Sequence, residues 1–210
     1  MTAPHHPKQL SRKAREHMFR IEIVLDAAQE VFMEQPFAAA RIEDIAQRAE
    51  LSVGTLYNLF ESKQEIYKAL VSRQQDRFFE RINADLDSTD DPVEQLHRYV
   101  HAFFAHVMEN FAAWRFHVYA TAGLSSTLRN ELFQEAQEGQ TSFLRRLAGV
   151  CRAGMDSGVF RSGLEPELMA LAINSVPDAC LTLAFQHNDA NVLELVPGAI
   201  TAVDRLAGVA

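Results

Sequence analysis

The chain has 210 residues, 48% of them hydrophobic and 23% charged, enough to bury a sizeable core without disulfides or metals. Its net charge of −8 at pH 7 argues against a uniformly basic nucleic-acid binder, and no stretch approaches the roughly 18 uninterrupted apolar residues of a membrane span. Two cysteines, Cys151 and Cys180, 29 positions apart, make no disulfide framework and read as free thiols of a reducing cytoplasm.

The N-terminal stretch MTAPHHPKQLSRKARE is basic and polar, with no apolar region of a secretory signal. Residues 1–75 hold 10 basic and 10 acidic side chains, whereas residues 76–210 hold 10 and 18, so all the excess acidity lies in the second part. Lys8, Arg12, Lys13, Arg15 and Arg20 face only Glu16 within the first 20 residues. Residues 1–16 read as a flexible arm: a source of local positive potential for DNA, or equally a solvated tail.

Helical periodicity runs through the chain and hairpin signals are absent, which predicts an all-α fold. Ile21, Val24, Leu25, Ala28, Val31 and Phe32 recur at steps of three and four, predicting a helix over His17–Gln35 that Pro36 ends. Three short pieces follow: IEDIAQRA (Ile42–Ala49), VGTLYNLF (Val53–Phe60) with Ser52 as its cap, and a capping box of Ser62 and Glu65. The box opens a long helix from Lys63 to about Leu86, and Asp87–Pro92 breaks it. Further helices are expected from Pro92 to about Phe111, around Trp114–Tyr119, from Thr127 to Asp156, and after Pro166. Pro177 should kink or break the helix after Pro166. A last helix over Ala190–Leu206 should be disturbed at Pro197-Gly198.

Ile42–Ala49, the turn Glu50-Leu51-Ser52, and Val53–Phe60 together form a helix-turn-helix pattern spanning residues 41–60. Gly54 and Thr55 keep the start of the second helix small enough to enter a major groove, and amides and hydroxyls there suit phosphate contact.

These residues resemble a known family. Ile42-Glu43-Asp44-Ile45-Ala46, then Ala49, Ser52, Gly54-Thr55-Leu56-Tyr57, Phe60, Ser62-Lys63 and Ile66 are similar to the signature of TetR-family transcriptional regulators, firmly over Met18–Phe78. Beyond residue 86 the likeness is general, helped by the Arg152–Phe160 segment, which is like the turn before that family's dimer helices. The resemblance implies an N-terminal three-helix DNA-binding domain (17–80) and a C-terminal helical effector-binding and dimerisation domain (81–210). By position, it places Thr55, Tyr57 and Lys63 at phosphates and Val53, Gly54 and Asn58 on the groove-facing side. Ser52 belongs with them as the cap. Leu56 and Phe60 match core positions. Asn58 can pair with adenine, or be simply an exposed polar residue.

Three residues depart from the pattern. Arg41 stands where Ser or Thr usually caps, losing about 1 kcal/mol but offering a cation to phosphate. Glu50 replaces a turn glycine, costing about 1 kcal/mol if the backbone is left-handed. Pro36 stands where glycine often ends the first helix.

One helix-turn-helix reads a half-site, so the resemblance implies a homodimer on a palindromic double-stranded operator. Leu168, Leu171, Ala172, Val176, Leu181 and Leu183, with Val192, Leu195, Val196, Ala199, Ile200 and Val203, are candidates for a dimer bundle or for burial within one chain. Phe103, Phe104, Met108, Trp114, His117, Tyr119, Phe133, Phe143 and Met155 are candidates for an effector pocket or for ordinary core. His97 and His101 share a helix face, but no completing ligand set stands near them, so solvated histidines are the expectation over a metal site. No nucleotide-binding, zinc-protease or hydrolase motif is present, and neither an enzyme nor a cofactor is expected. The alternative is a helical small-molecule binder or enzyme on this scaffold that has lost DNA binding.

Overall fold

The computed structural model describes residues 11–109, 126–186 and 191–209. Among these the regular elements are helices only: α1 (Arg12–Glu34), α2 (Ile42–Arg48), α3 (Val53–Tyr57), α4 (Lys63–Leu86), α5 (Pro92–Glu109), α6 (Ser126–Asp156), α7 (Pro166–Gln186), a 3₁₀ turn (Val192–Leu195) and α8 (Val196–Ala207). Packing divides the described residues into two units, one ending at Val71 and one beginning at Ser72. The division falls inside α4, whose helix continues past it, nine residues before the expected boundary at 80/81.

The N-terminal unit is built around Val24, Leu25, Ala28, Val31, Phe32, Ile45, Ala46, Leu56, Ile66 and Tyr67. Phe32, Phe37 and Tyr67 form a triangle of rings with centroids 5.1–5.7 Å apart. Helix α1 begins at Arg12, not His17, because Ser11 accepts a hydrogen bond from Ala14 N at 3.2 Å. Arg12 to Glu16 of the expected arm are therefore helical.

The C-terminal unit has one apolar cluster drawn from α4 to α8, including Ile82, Leu86, Leu96, Tyr99, Phe104, Leu147, Met169, Ile173 and Val203. After α6 the chain reverses sharply. Gly158 takes φ +76, and the amides of Val159 and Phe160 both donate to Gly154 O at 2.9 Å. Phe160 folds back so far that a Cβ on Gly154 would lie 2.1 Å from its ring.

Helix α7 runs through Pro177 as one element, because the loss of one backbone hydrogen bond is outweighed by the packing of Met169, Ala170, Ile173 and Leu181. Its segment Pro166–Ala184 is long and apolar enough to cross a membrane by length and composition, with 33% of it buried. Pro197 does not disturb the last helix but starts it: the chain makes a 3₁₀ turn and enters α8 with Pro197 in the first turn, where a missing N–H costs nothing.

Candidate nucleic-acid interface and effector core

The helix-turn-helix is held by contacts within its own unit. Arg48 on α2 donates two bonds to the Glu34 carboxylate of α1, both 2.8 Å, and Gln35 Nε2 donates to Asp44 at 3.3 Å. The guanidinium holds the Glu34 carboxyl below its usual range. At the end of α2, Glu50 takes φ 55, while Leu51 N donates to Ala46 O and Glu50 N to Gln47 O. This is the helix ending that glycine normally makes, with a glutamate at its left-handed position. The expected strain is therefore present. Arg41 caps α2 without a side-chain bond, as its chemistry demands, and lies 3.4 Å from Glu43.

Ser52 caps α3, accepting from Thr55 N at 3.1 Å and meeting the Thr55 hydroxyl at 2.8 Å. The helix ends at Tyr57 rather than Phe60, followed by a turn through Asn58 and Leu59. Leu56 is fully buried, which anchors the helix, and leaves Ser52, Gly54, Tyr57 and Asn58 exposed, with Val53 and Thr55 half-buried. Gly54 has no internal reason to be glycine: a Cβ there would meet only Ser52 Oγ, at an ordinary 3.9 Å.

Lys63, expected at a phosphate, is also engaged within its own unit. Its Nζ donates to Phe37 O and Ala40 O, both at 2.7 Å, and stands 4.6 Å over the Phe37 ring. Burial lowers its pKa. It ties the α1–α2 connection to the start of α4, using two of its three donors. The capping box is also rearranged. Ser62 Oγ accepts from Glu65 N at 3.2 Å, while the Glu65 carboxylate lies 2.6 Å from Lys68.

In the C-terminal unit, Phe103, Phe104 and Phe143 are buried, and Met108 and Met155 pack against them. Trp114, His117 and Tyr119, and the side chain of Phe133, lie outside the described residues. The rings sit in a larger aromatic network that includes Phe78, Phe79 and Tyr99. Phe78 meets Phe103 at 5.6 Å and Phe79 meets Phe143 at 5.8 Å. Tyr99 meets Phe143 at 5.3 Å. The spacing of Phe78, Phe79, Ile82 and Leu86 along α4 signalled an inward face, as did Tyr99 one turn before Phe103.

Few polar groups enter this core. Tyr99 donates to Asn174 Oδ1 at 3.0 Å, and its phenol is pushed far up by burial. His106 is 8% exposed with its ring 5.0 Å from Phe78, and burial, with Arg81 nearby, lowers its pKa. Among the described residues, the buried Asn83 Oδ1 has no hydrogen-bond partner. Burial raises the Cys151 thiol to about 12, so it is inert packing. His97 is not simply solvated: its Nε2 lies 2.7 Å from Asp204, joining α5 to α8, while His101 is exposed.

Several candidate dimer residues turn inward instead. Leu181, Val192, Val196, Ala199 and Val203 are buried in their own chain, because α8 packs on α5 and α7. Leu168, Leu171 and Leu183 remain 48–53% exposed.

A family model described as "Bacterial regulatory proteins, tetR family" matches residues 24–70, and one described as "Tetracyclin repressor-like, C-terminal domain" matches residues 92–190. The chain belongs to the TetR family. As a TetR-family protein it is a DNA-binding transcriptional regulator. A fatty acid metabolism regulator protein of Bacillus subtilis is 26% identical over 160 residues, covering 76% of this chain and 80% of that one. The transcriptional repressor KstR2 of Mycobacterium tuberculosis is 27% identical, covering 70% and 72%. The transcriptional activator FasR of Mycolicibacterium smegmatis is 35% identical, but over only 44% of this chain and 42% of that protein. The fold also matches the regulator FadR of Bacillus subtilis, solved in complex with stearoyl-CoA, with TM-score 0.71 and 23% identity over 90% of this chain and 99% of that one.

Proposed function

We propose that this TetR-family regulator is a cytoplasmic homodimeric repressor, released from a palindromic operator by a partly apolar effector of the long-chain acyl-CoA class. The observation that carries the effector reading is the aromatic interior of the C-terminal unit, with its sparse polar groups. Such an interior suits an apolar ligand with one or two polar anchors. Two comparisons support the choice of ligand: a Bacillus subtilis relative is named for fatty acid metabolism, and the similarly folded FadR of Bacillus subtilis was solved with stearoyl-CoA. Phe103, Phe104, Met108, Phe143 and Met155 are the candidate contacts, and Asn83 is the candidate anchor, since a ligand donor would satisfy its buried acceptor.

On the DNA side, Ser52, Val53, Gly54, Thr55, Tyr57 and Asn58 are the candidate contacts, with Arg41 a cation at the edge. Lys63 is assigned to holding the α1–α2 connection rather than to phosphate. The exposed stripe of α7 supports the dimer. Leu171, Ser175, Leu168, Ala179, Ala172 and Leu183 fall within about 120° of the helix at 100° per residue. Ser175 and Thr182 donate to their own helix at 2.8 and 2.9 Å, so this face offers a partner almost no unsatisfied polar group. Coupling between effector and operator of about 1–3 kcal/mol would serve as the switch.

The test is titration of the operator complex with acyl-CoAs of increasing chain length. Release that strengthens with length, and weakens in an Asn83→Leu variant, is the expected result. A complex indifferent to every acyl-CoA would overturn the effector class.

A further inference from the structure

Positive charge is scarce on the N-terminal unit, and most of it is committed. Arg41 lies 3.4 Å from Glu43, Arg48 is held by Glu34, and Lys68 lies 2.6 Å from Glu65. Lys63 is bound to two carbonyls, and Arg20 lies 3.0 Å from Glu16. The exposed face of α3 carries no charge at all, and Glu50 in the turn before it adds an anion. Among the described residues of this unit, the uncommitted cations are Arg12, Lys13 and Arg15.

All three are exposed, in the opening turns of α1. No residue from Ser11 to Arg20 is buried, and the buried stripe of the helix begins only at Val24. The helix therefore outruns its buried stripe by about three turns, capped by Ser11. Phe19, 66% exposed, falls between Arg12 and Arg15 around the helix. Packing among the described residues accounts for none of these side chains.

Duplex DNA presents one negative charge per roughly 1.7 Å of its axis, and cations that neutralise phosphates give binding its salt dependence. We infer that the first turns of α1 are a second DNA-contact element, in which Arg12, Lys13 and Arg15 grip the phosphate backbone without reading sequence. This inference rests on the DNA-binding role of the unit. It divides labour within it: α3 supplies uncharged groups for base edges, and the α1 extension, beside Arg41 at the edge, supplies the positive charge.

The test is the slope of log affinity against log salt for wild type and for a combined Arg12→Gln, Lys13→Gln, Arg15→Gln variant. Thermal unfolding should show the variant folded, because the residues touch no core. Its slope should become shallower by roughly 0.9 for each phosphate that is no longer neutralised, with affinity down about ten-fold or more at low salt. The loss should be equal on selected and on random duplexes, and an Arg12→Lys, Arg15→Lys variant should keep the wild-type slope. A variant with unchanged slope and affinity would overturn the inference while leaving the DNA-binding role intact. Wild-type protein that retains no duplex at any salt would overturn that role and the inference together.

Discussion

The two units use their side chains differently. In the N-terminal unit small polar contacts do specific jobs: Ser11 and Ser52 cap, Arg48 clamps α2 to α1, and Lys63 ties the α1–α2 connection to the start of α4. In the C-terminal unit the interior is a network of rings with few polar groups, and among the described residues the buried Asn83 amide oxygen has no hydrogen-bond partner. A part that must present a fixed shape to DNA is specified residue by residue. A part that must accept an apolar molecule needs volume and softness more than unique contacts. Substitutions should therefore break the two units in different ways.

The largest effect is expected at the exposed face of α7. Leu171→Asp with Leu183→Asp puts charge on a surface that is solvent-exposed in one chain, so the protomer should stay folded while the dimer dissociates. Sedimentation should show a monomer, and operator binding should be lost. A stable dimer would mean that another surface joins the protomers.

Lys63→Met comes next. Removing two charge-assisted bonds should cost about 2–3 kcal/mol of unfolding free energy, measured by denaturant titration. A stability close to wild type would contradict the internal role and return Lys63 to the phosphate contacts.

Gly54→Ala sharpens the comparison, because it separates folding from function. The chain has room for the methyl group and α3 should gain up to about 1 kcal/mol in helix propensity. DNA affinity should nonetheless fall about ten-fold if backbone and base approach closely there. Undiminished affinity would remove Gly54 from the interface.

Glu50→Gly should stabilise the protein by about 0.5–1 kcal/mol, since it relieves a left-handed residue. It also removes an anion beside α3, so affinity should rise. The same helix ending is made with glycine at Gly158 and Gly208, both at positive φ, which makes glutamate at position 50 the exception among the described residues.

The smallest effect is a pH dependence in the C-terminal unit. The His106 pKa is lowered in the folded state, so below about its ordinary 6.5 the unfolded chain binds the proton more readily. Stability should fall as pH drops through that value, and His106→Gln should flatten the fall in thermal melts at pH 7.5 and 5.5.

What could be read in the sequence follows the same division. The helix-turn-helix was legible because its signals are local: Ser52 before Val53, Leu56 at a core step, a glycine at 54. Even the missing cap at Arg41 and the strain at Glu50 follow from residue type. The role of Lys63 was not legible, because its partners lie 23 and 26 residues away and are backbone carbonyls that any sequence would supply. In the C-terminal unit the helices were visible by periodicity, but not the direction of their faces. Val192, Val196 and Val203 carry the same apolar signal as Leu168 and Leu171, yet only the leucines face outward. Apolarity says that a residue is covered; it does not say by which chain.

Whether the chain reads DNA as a dimer is tested most directly by selecting bound fragments from a random duplex library with the purified protein at near-physiological salt. The expected result is a palindrome whose half-sites are centred about one helical turn apart, recovered by wild type and not by the Leu171→Asp, Leu183→Asp variant. Absence of any enriched sequence, from wild-type protein that is folded and dimeric, would contradict a dimeric operator-reading regulator.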